Sequence, residues 1–262
     1  MCIRDRTPFL KEGDNCIAVK VDQSKPLTGR WYTGSGIYRH VRLNISSPVH
    51  IAYSGVCFKV DTFLTDKALC SVVVSIVNPG KEKVRVVSCL QDTEGRIIAR
   101  TTGSESVSTE EKVAMSVTAP ERWSPENPVV YTLVCRLEQG GNVLDEVQQF
   151  VGFRSLEFSP EFGFKLNGKV TKLKGVCDHH TAGAVGAAVP EDILHYRLRL
   201  LKEMGCNAIR TAHNPFSPEF YTMCDTMGLM VLNEGLDGWN TPKAADDYGH
   251  YFEEWWERDM TD

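Results

Sequence analysis

Nine residues able to do chemistry stand in three tight groups: His179 and His180; Arg210, His213 and Asn214; Asn233, Glu234, Asp237 and Trp239. Each group directly follows a short apolar run, Leu173 to Val176, Cys206 to Ile209 and Leu229 to Leu232. Imidazole, guanidinium, amide, carboxylate and indole together suit a site that hydrogen-bonds hydroxyl groups and stacks on a flat apolar face. Sugars present both.

The elements that must position these residues are legible between the groups. Pro190, Glu191 and Asp192 suit a helix N-terminus, and apolar residues then recur at Leu194, Leu198, Leu201 and Met204 before Gly205. A second helix is expected from Ser217 as cap and Pro218 as first helical residue to Gly228. The pattern is β-α-β-α-β, which predicts parallel strands. In a parallel sheet or (β/α) barrel the loops leaving the strands' carboxyl ends meet on one face, so the polar groups are expected to converge.

The totals bound the function classes. A chain of 262 residues accommodates two domains or one large barrel, and 42% hydrophobic and 24% charged residues with a formal charge of -5 are ordinary for a globular protein. No basic surplus recommends nucleic acid, and no apolar run approaches the roughly 20 residues that span a bilayer. The 9 cysteines lack paired CxxC spacing, and Cys70, Cys89, Cys135 and Cys206 sit inside apolar strand-like runs. That favours buried reduced thiols over a disulfide frame or zinc site. Met1 to Arg6 has no signal-peptide core and precedes a strand pattern in mid-flow, so the true N-terminus is expected to lie elsewhere and these residues to be a gene-model artefact.

Upstream, Ile17, Val19 and Val21, then Val41, Leu43 and Ile45, alternate with polar residues and predict strands on either side of Arg30 to Arg39. Forty residues of this kind cannot bury a core alone. Residues 49–150 carry short strand patterns separated by Asn78-Pro79-Gly80, Asp92-Thr93-Glu94-Gly95 and similar turns, which predict a β-sandwich. Asn167-Gly168 predicts a two-residue hairpin, and Tyr248 to Met260 a further amphipathic helix. Trp31 and Tyr32 read as packing residues ahead of sugar contacts, because aromatics mostly serve their buried area.

The runs GVCDHHTAGAVGAAV, LLKEMGCNAIRTAHNP and CDTMGLMVLNEGLDGW are similar to the opening of the catalytic barrel in family 2 glycoside hydrolases, especially their bacterial β-galactosidase-like branch. Trp31 to Arg39 (W-x-x-G-S-G-I-Y-R), Trp123 to Leu133 (W-S-P-E-N-P-x-x-Y-T-L) and Val151-Gly152-Phe153-Arg154 resemble further marks of that family. The resemblance implies the end of a jelly-roll sugar-binding domain over 1–48, an immunoglobulin-like β-sandwich over 49–153, and the first three units of a (β/α)8 TIM barrel over 154–262. It implies an internal fragment of a retaining exo-β-glycosidase, β-galactosidase-like.

Retaining enzymes place two carboxyl groups about 5 Å apart. In the family the acid/base glutamate ends the fourth barrel strand and the nucleophile the seventh, so both are expected beyond Asp262 and none of these residues is assigned as catalytic. Asn233-Glu234 mimics the acid/base pair, but by order it ends the third strand, where the family usually has Asp-Glu; the resemblance makes Glu234 a wall of the pocket or a metal-shell carboxylate and not the proton donor. The substrate-binding set it implies is His180, Arg210, His213, Asn214, Glu234, Asp237 and Trp239: His213 on a sugar hydroxyl, Arg210 orienting the nucleophile, His180 lining the pocket, and Asp237 with Trp239 as the family's D-x-W. No metal residue is assigned, although some family members bind Mg or Na near the site and are oligomeric, so a divalent ion and a homo-oligomer are expectations for a full-length protein. The partner expected is a β-linked oligosaccharide or glycoside, with neither nucleic acid nor membrane. The compartment, bacterial periplasm or cytoplasm, is left open.

Two other readings compete. His179, His180, His213 and Glu234 could ligate a divalent ion that activates water, although adjacent histidines on one strand end point in different directions. The β-sandwiches could equally belong to a non-catalytic sugar-binding scaffold.

Overall fold

The computed structural model describes residues 5–22, 24, 31, 32 and 34–261. Met1 to Arg4, part of the segment read above as an artefact, and Arg30 and Thr33 of the Arg30 to Arg39 stretch lie outside the described residues. The chain forms two compact units, one of Met1–Val41, Gly175–Tyr221 and Val231–Asp262, the other of Arg42–Lys174 and Thr222–Met230.

The second unit opens with seven strands: β1 (His50–Phe63), β2 (Lys67–Val77), β3 (Arg85–Gln91), β4 (Ile97–Thr102), β5 (Glu110–Thr118), β6 (Tyr131–Gln139) and β7 (Asn142–Val151). They make two antiparallel sheets, β1-β2-β5 and β4-β3-β6-β7. In β5, Val113, Met115 and Val117 are buried while Lys112, Ala114 and Ser116 are exposed, the two-residue period of a strand with one wet face. Val72, Val74, Val86, Leu90, Val117, Leu133, Leu137 and Phe153 are completely or almost completely buried in one shared core. Burying each side chain of this size stabilises the fold by about 1.5–3 kcal/mol before the entropy of ordering it is subtracted. Phe153 meets Phe58 and Tyr131 edge-on, with centroids 5.6 and 5.1 Å away. The Tyr131 hydroxyl accepts the Glu121 N–H at 2.9 Å, which lets its ring stay buried.

A small antiparallel sheet follows, of β8 (Leu156–Ser159), β9 (Gly163–Leu166) and β10 (Lys169–Val170). Its β9–β10 turn is Asn167-Gly168 with φ of 53° and 77°, the double positive φ that a tight hairpin needs. Asn167 also accepts the Ser155 N–H and donates to the Trp123 carbonyl, both at 3.0 Å, so the turn residue anchors its surroundings.

The parallel segment comprises β11 (Gly175–Asp178), helix α1 (Glu191–Glu203), β12 (Ala208–Thr211), helix α2 (Pro218–Met227), β13 (Met230–Leu232) and helix α3 (Phe252–Thr261). The sheet order is β11-β12-β13, and β11 and β12 pair in parallel. Leu194 and Leu198 form the buried stripe of α1, whose first turn carries Glu191 and Asp192 and whose last carries Lys202, matching the helix dipole. Met204, expected on that stripe, is exposed just past the helix end. A Cβ on Gly175 would lie 2.0 Å from the Ala208 carbonyl oxygen, so only glycine permits β11 to enter the ladder there.

Two expectations are corrected. β11 and β12 run further than the apolar runs suggest, pairing Cys177 with Arg210 and Asp178 with Thr211. Arg210 therefore lies inside β12 and not in the loop after it, because backbone pairing continues where the side chains turn polar. The strands expected at Ile17 to Val21 and Val41 to Ile45 are not formed: the described residues before His50 hold one 3-10 turn, Thr7–Phe9, and no strand. Ile17, Val41, Leu43 and Ile45 are all exposed. Alternation marks a face, and a face without a paired strand and a core to cover it does not become a sheet.

Candidate functional site

The carboxyl ends of β12 and β13 bring four of the expected residues into one chain of charges. Arg210, projecting from β12, places Nη2 2.5 Å from Oε2 of Glu234, two residues past β13. Its Nη1 lies 3.6 Å from the Cys177 sulfur on the neighbouring strand. The Cys177 contact, and next the Glu234 charge, raise the guanidinium pKa further above its ordinary value. His213, after the cis Ala212–His213 peptide, has Nδ1 2.9 Å from Asp237 Oδ1 and 3.9 Å from Glu234 Oε2. Lys243 closes the far side, with Nζ 3.0 Å from Asp237 Oδ1 and donating to the Asp237 carbonyl at 2.7 Å. Neither Glu234 Oε2 nor His213 Nδ1 meets hydrogen-bond geometry in these approaches. They are close approaches without that geometry, and both atoms keep directional capacity for a ligand.

The backbone beneath is held by hydroxyls. Thr211, fully buried at the end of β12, accepts the Glu234 N–H at 2.9 Å and donates to Asn233 Oδ1 at 3.1 Å. Tyr221 of α2 accepts the Phe216 N–H at 3.0 Å and donates to the same Asn233 oxygen at 2.6 Å. Arg197 of α1 fixes the loop after β11, with Nη1 2.9 Å from Asp178 Oδ2 and bonds to the carbonyls of His179 and Thr181. Asp247, almost fully buried, accepts the Lys243 and Gly249 amides at 3.0 and 2.8 Å.

An aromatic wall stands beside the charges. The Trp31 ring lies 5.4 Å from His213, 5.5 Å from His179 and 5.6 Å from His180, and His179 meets His213 edge-on at 5.2 Å. Trp31, read from the sequence as a packing residue, packs against three histidines. Sequence reasoning missed Thr211, Tyr221 and Arg197, for which only a position at a strand end or in a helix was available as a signal, and Lys243, which lies in a loop and offered none.

The other expected residues are arranged differently. His180 is buried, stacks on Tyr38 at 5.8 Å and lines a cleft of about 610 Å³ with Tyr38, Arg39, Arg197 and Phe216, while His179 is the histidine beside His213. Asn214 donates to the Pro215 carbonyl at 3.0 Å, and its buried Oδ1 has no hydrogen-bond partner among the described residues. Trp239, exposed and with φ of 47°, packs on Phe252 of α3 at 5.8 Å. The metal set His179, His180, His213 and Glu234 is not gathered. Of the four, His213 and Glu234 share a group of donor atoms within 4.8 Å of one another, with Asp237, whereas His179 meets His213 ring to ring. Arg210 and Lys243 already supply cations to both carboxylates, which leaves a divalent ion little charge to neutralise.

The model for the TIM barrel domain of glycosyl hydrolases family 2 matches residues 161–255, and the glycosyl hydrolases family 2 model that precedes it matches residues 49–154. The chain belongs to glycosyl hydrolase family 2. Among family relatives, β-galactosidase BoGH2A of Bacteroides ovatus is 39% identical over 98% of this chain and 31% of its own length. A β-glucuronidase of Formosa agariphila is 28% identical over 89% of this chain and 27% of its own. The crystal structure of a β-glycosidase from Bacteroides vulgatus superposes with a TM-score of 0.91 at 57% identity, over 98% of this chain and 33% of that one. The 262 residues thus span about a third or less of these family 2 proteins.

Proposed function

We propose that this chain contributes one wall of the sugar pocket of a retaining exo-β-glycosidase acting on terminal β-linked neutral sugars, β-galactosides in the first place. The observation that carries the reading is the run Arg210–Glu234–His213–Asp237 at the carboxyl ends of β12 and β13, beside the Trp31 ring. Such ends are where (β/α) barrels keep their active sites. In this proposal His213 and Asp237 hold sugar hydroxyls, Trp31 packs on the flat sugar face, Arg210 orients Glu234 and the neighbouring nucleophile, and Glu234 is not the proton donor. His180 and Asn214 line the pocket and Trp239 contributes from the rim.

A neutral sugar is preferred over a glucuronide on electrostatic grounds. Of the four cations named here, Arg197, Arg210 and Lys243 each already face a carboxylate, Asp178, Glu234 and Asp237, and Arg39 donates to the Pro215 and Phe216 carbonyls. A uronate would have to displace one of them. The domain reading runs alongside: 49–153 as an immunoglobulin-like sandwich, supported by sheets ordered β1-β2-β5 and β4-β3-β6-β7, 154–262 as the first three TIM-barrel units, and 1–48 as the end of a jelly roll.

The test is ligand-observed NMR on the purified chain with galactose and glucuronate, coupled to hydrolysis of a chromogenic β-galactoside. Expected are galactose binding that is weakened by His213→Ala, and no turnover. Preference for glucuronate would overturn the neutral-sugar assignment; turnover abolished by Glu234→Gln would make Glu234 catalytic and end the pocket-wall reading.

A further inference from the structure

We infer a divalent transition-metal site at His40, Glu191 and Glu219, separate from the Arg210–Glu234 cluster. The three residues come from distant parts of the sequence: His40 from the N-terminal segment, Glu191 from the first residue of α1, Glu219 from the first turn of α2. Their donor atoms nevertheless lie within 4.8 Å of one another. His40 Nε2 is 3.1 Å from Glu191 Oε1 and 3.8 Å from Glu219 Oε1. Ligands bound at 2.0–2.2 Å in tetrahedral geometry stand about 3.4 Å apart, between those two separations. One ion can therefore sit among the three without the chain moving far.

The donor set selects the ion. One imidazole nitrogen and two carboxylate oxygens suit zinc, cobalt, nickel or manganese ahead of calcium, which asks for six or more oxygens. Two carboxylates and a neutral imidazole carry a charge that one dication balances. Each carboxylate is also pre-placed, because a helix start fixes its backbone and favours its charge. The side chains of His40 and Glu191 are about half exposed and that of Glu219 is 20% exposed, so solvent can complete the coordination. All three line the same cleft of about 610 Å³, which gives an ion an entry path. The site has no substrate geometry; its effect is to pin residue 40 to the starts of two helices.

The test is titration of the metal-free 262-residue chain with Co(II), read by visible absorption and by thermal melting. Expected is one equivalent with visible d–d bands, no thiolate-to-cobalt charge-transfer band, and a raised melting temperature. Affinity should fall about tenfold or more in His40→Ala and in the near-isosteric Glu219→Gln, since each removes one of only three protein ligands. It should persist in His213→Ala. Binding that survives both His40→Ala and Glu219→Gln, disappears in His213→Ala, or shows thiolate bands would overturn the site, as would the lack of saturable binding. If His40→Ala does not fold, Glu191→Gln and Glu219→Gln carry the test alone.

Discussion

The sandwich and the parallel sheet bury polar atoms in opposite ways. In the sandwich, Ser88 is fully buried, yet among the described residues its hydroxyl meets only the Cys135 sulfur, at 3.3 Å, beside a core made mostly of aliphatic side chains. In the parallel segment, Thr211 is as deeply buried and its hydroxyl joins the Glu234 amide to the Asn233 oxygen. A sandwich closes on apolar area and tolerates an occasional hydroxyl. The ends of parallel strands use a hydroxyl as a joint, because there the chain turns away from the ladder and its amides need other acceptors.

That contrast can be broken most sharply at Phe153. Phe153→Ala removes a fully buried ring that touches Phe58 and Tyr131, and should cost about 3–5 kcal/mol in denaturant unfolding. A loss under about 1 kcal/mol would mean that apolar packing does not hold the sandwich.

Thr211→Val keeps volume and deletes only the joint. It should cost about 1–3 kcal/mol by stranding the Glu234 N–H and taking one donor from the Asn233 oxygen, and Ser88→Ala should cost clearly less. Equal losses would erase the distinction between the two regions.

The smallest effect is expected from the sandwich thiols. Burial, then the Asp61 charge, pushes the Cys70 thiol up to about 11. The unfolded thiol ionises at its lower ordinary value, so this contribution to stability is complete below that value and is lost as pH rises through about 11. Unfolding midpoints should decline over that alkaline window, less so in Cys70→Ala, and a thiol reagent should find exposed Cys177 while sparing Cys70.

Much of the fold was legible because its signals are local. The Asn167-Gly168 turn requires positive φ, and Leu194 with Leu198 sets one face of α1 by spacing alone. The Ile17 to Val21 alternation is equally local and misleads, since what makes a strand is the partner beside it. In the site, Arg210, His213 and Glu234 stood out because they follow apolar runs, while Asp237 and the roles of all four rested on the family resemblance. Their partners did not stand out: Trp31 is more than a hundred residues from the histidines it faces, and Lys243 and Tyr221 carry no periodic signal. The order of His179 and His180 was hidden as well, because adjacent residues on a strand end separate only when the backbone geometry is fixed.

The single oxygen of Asn233 receives hydroxyls from Thr211 and Tyr221, and through them answers the amides of Glu234 and Phe216. The loops after β12 and β13 thus share one rivet. Mechanically they are a single part: a change at Asn233 shifts both together, whereas changes at Asp237 or Trp239, which make no bond to Asn233, leave the rivet in place. If the proposed sugar pocket holds, variation in its preference has its easiest route through the second kind of position.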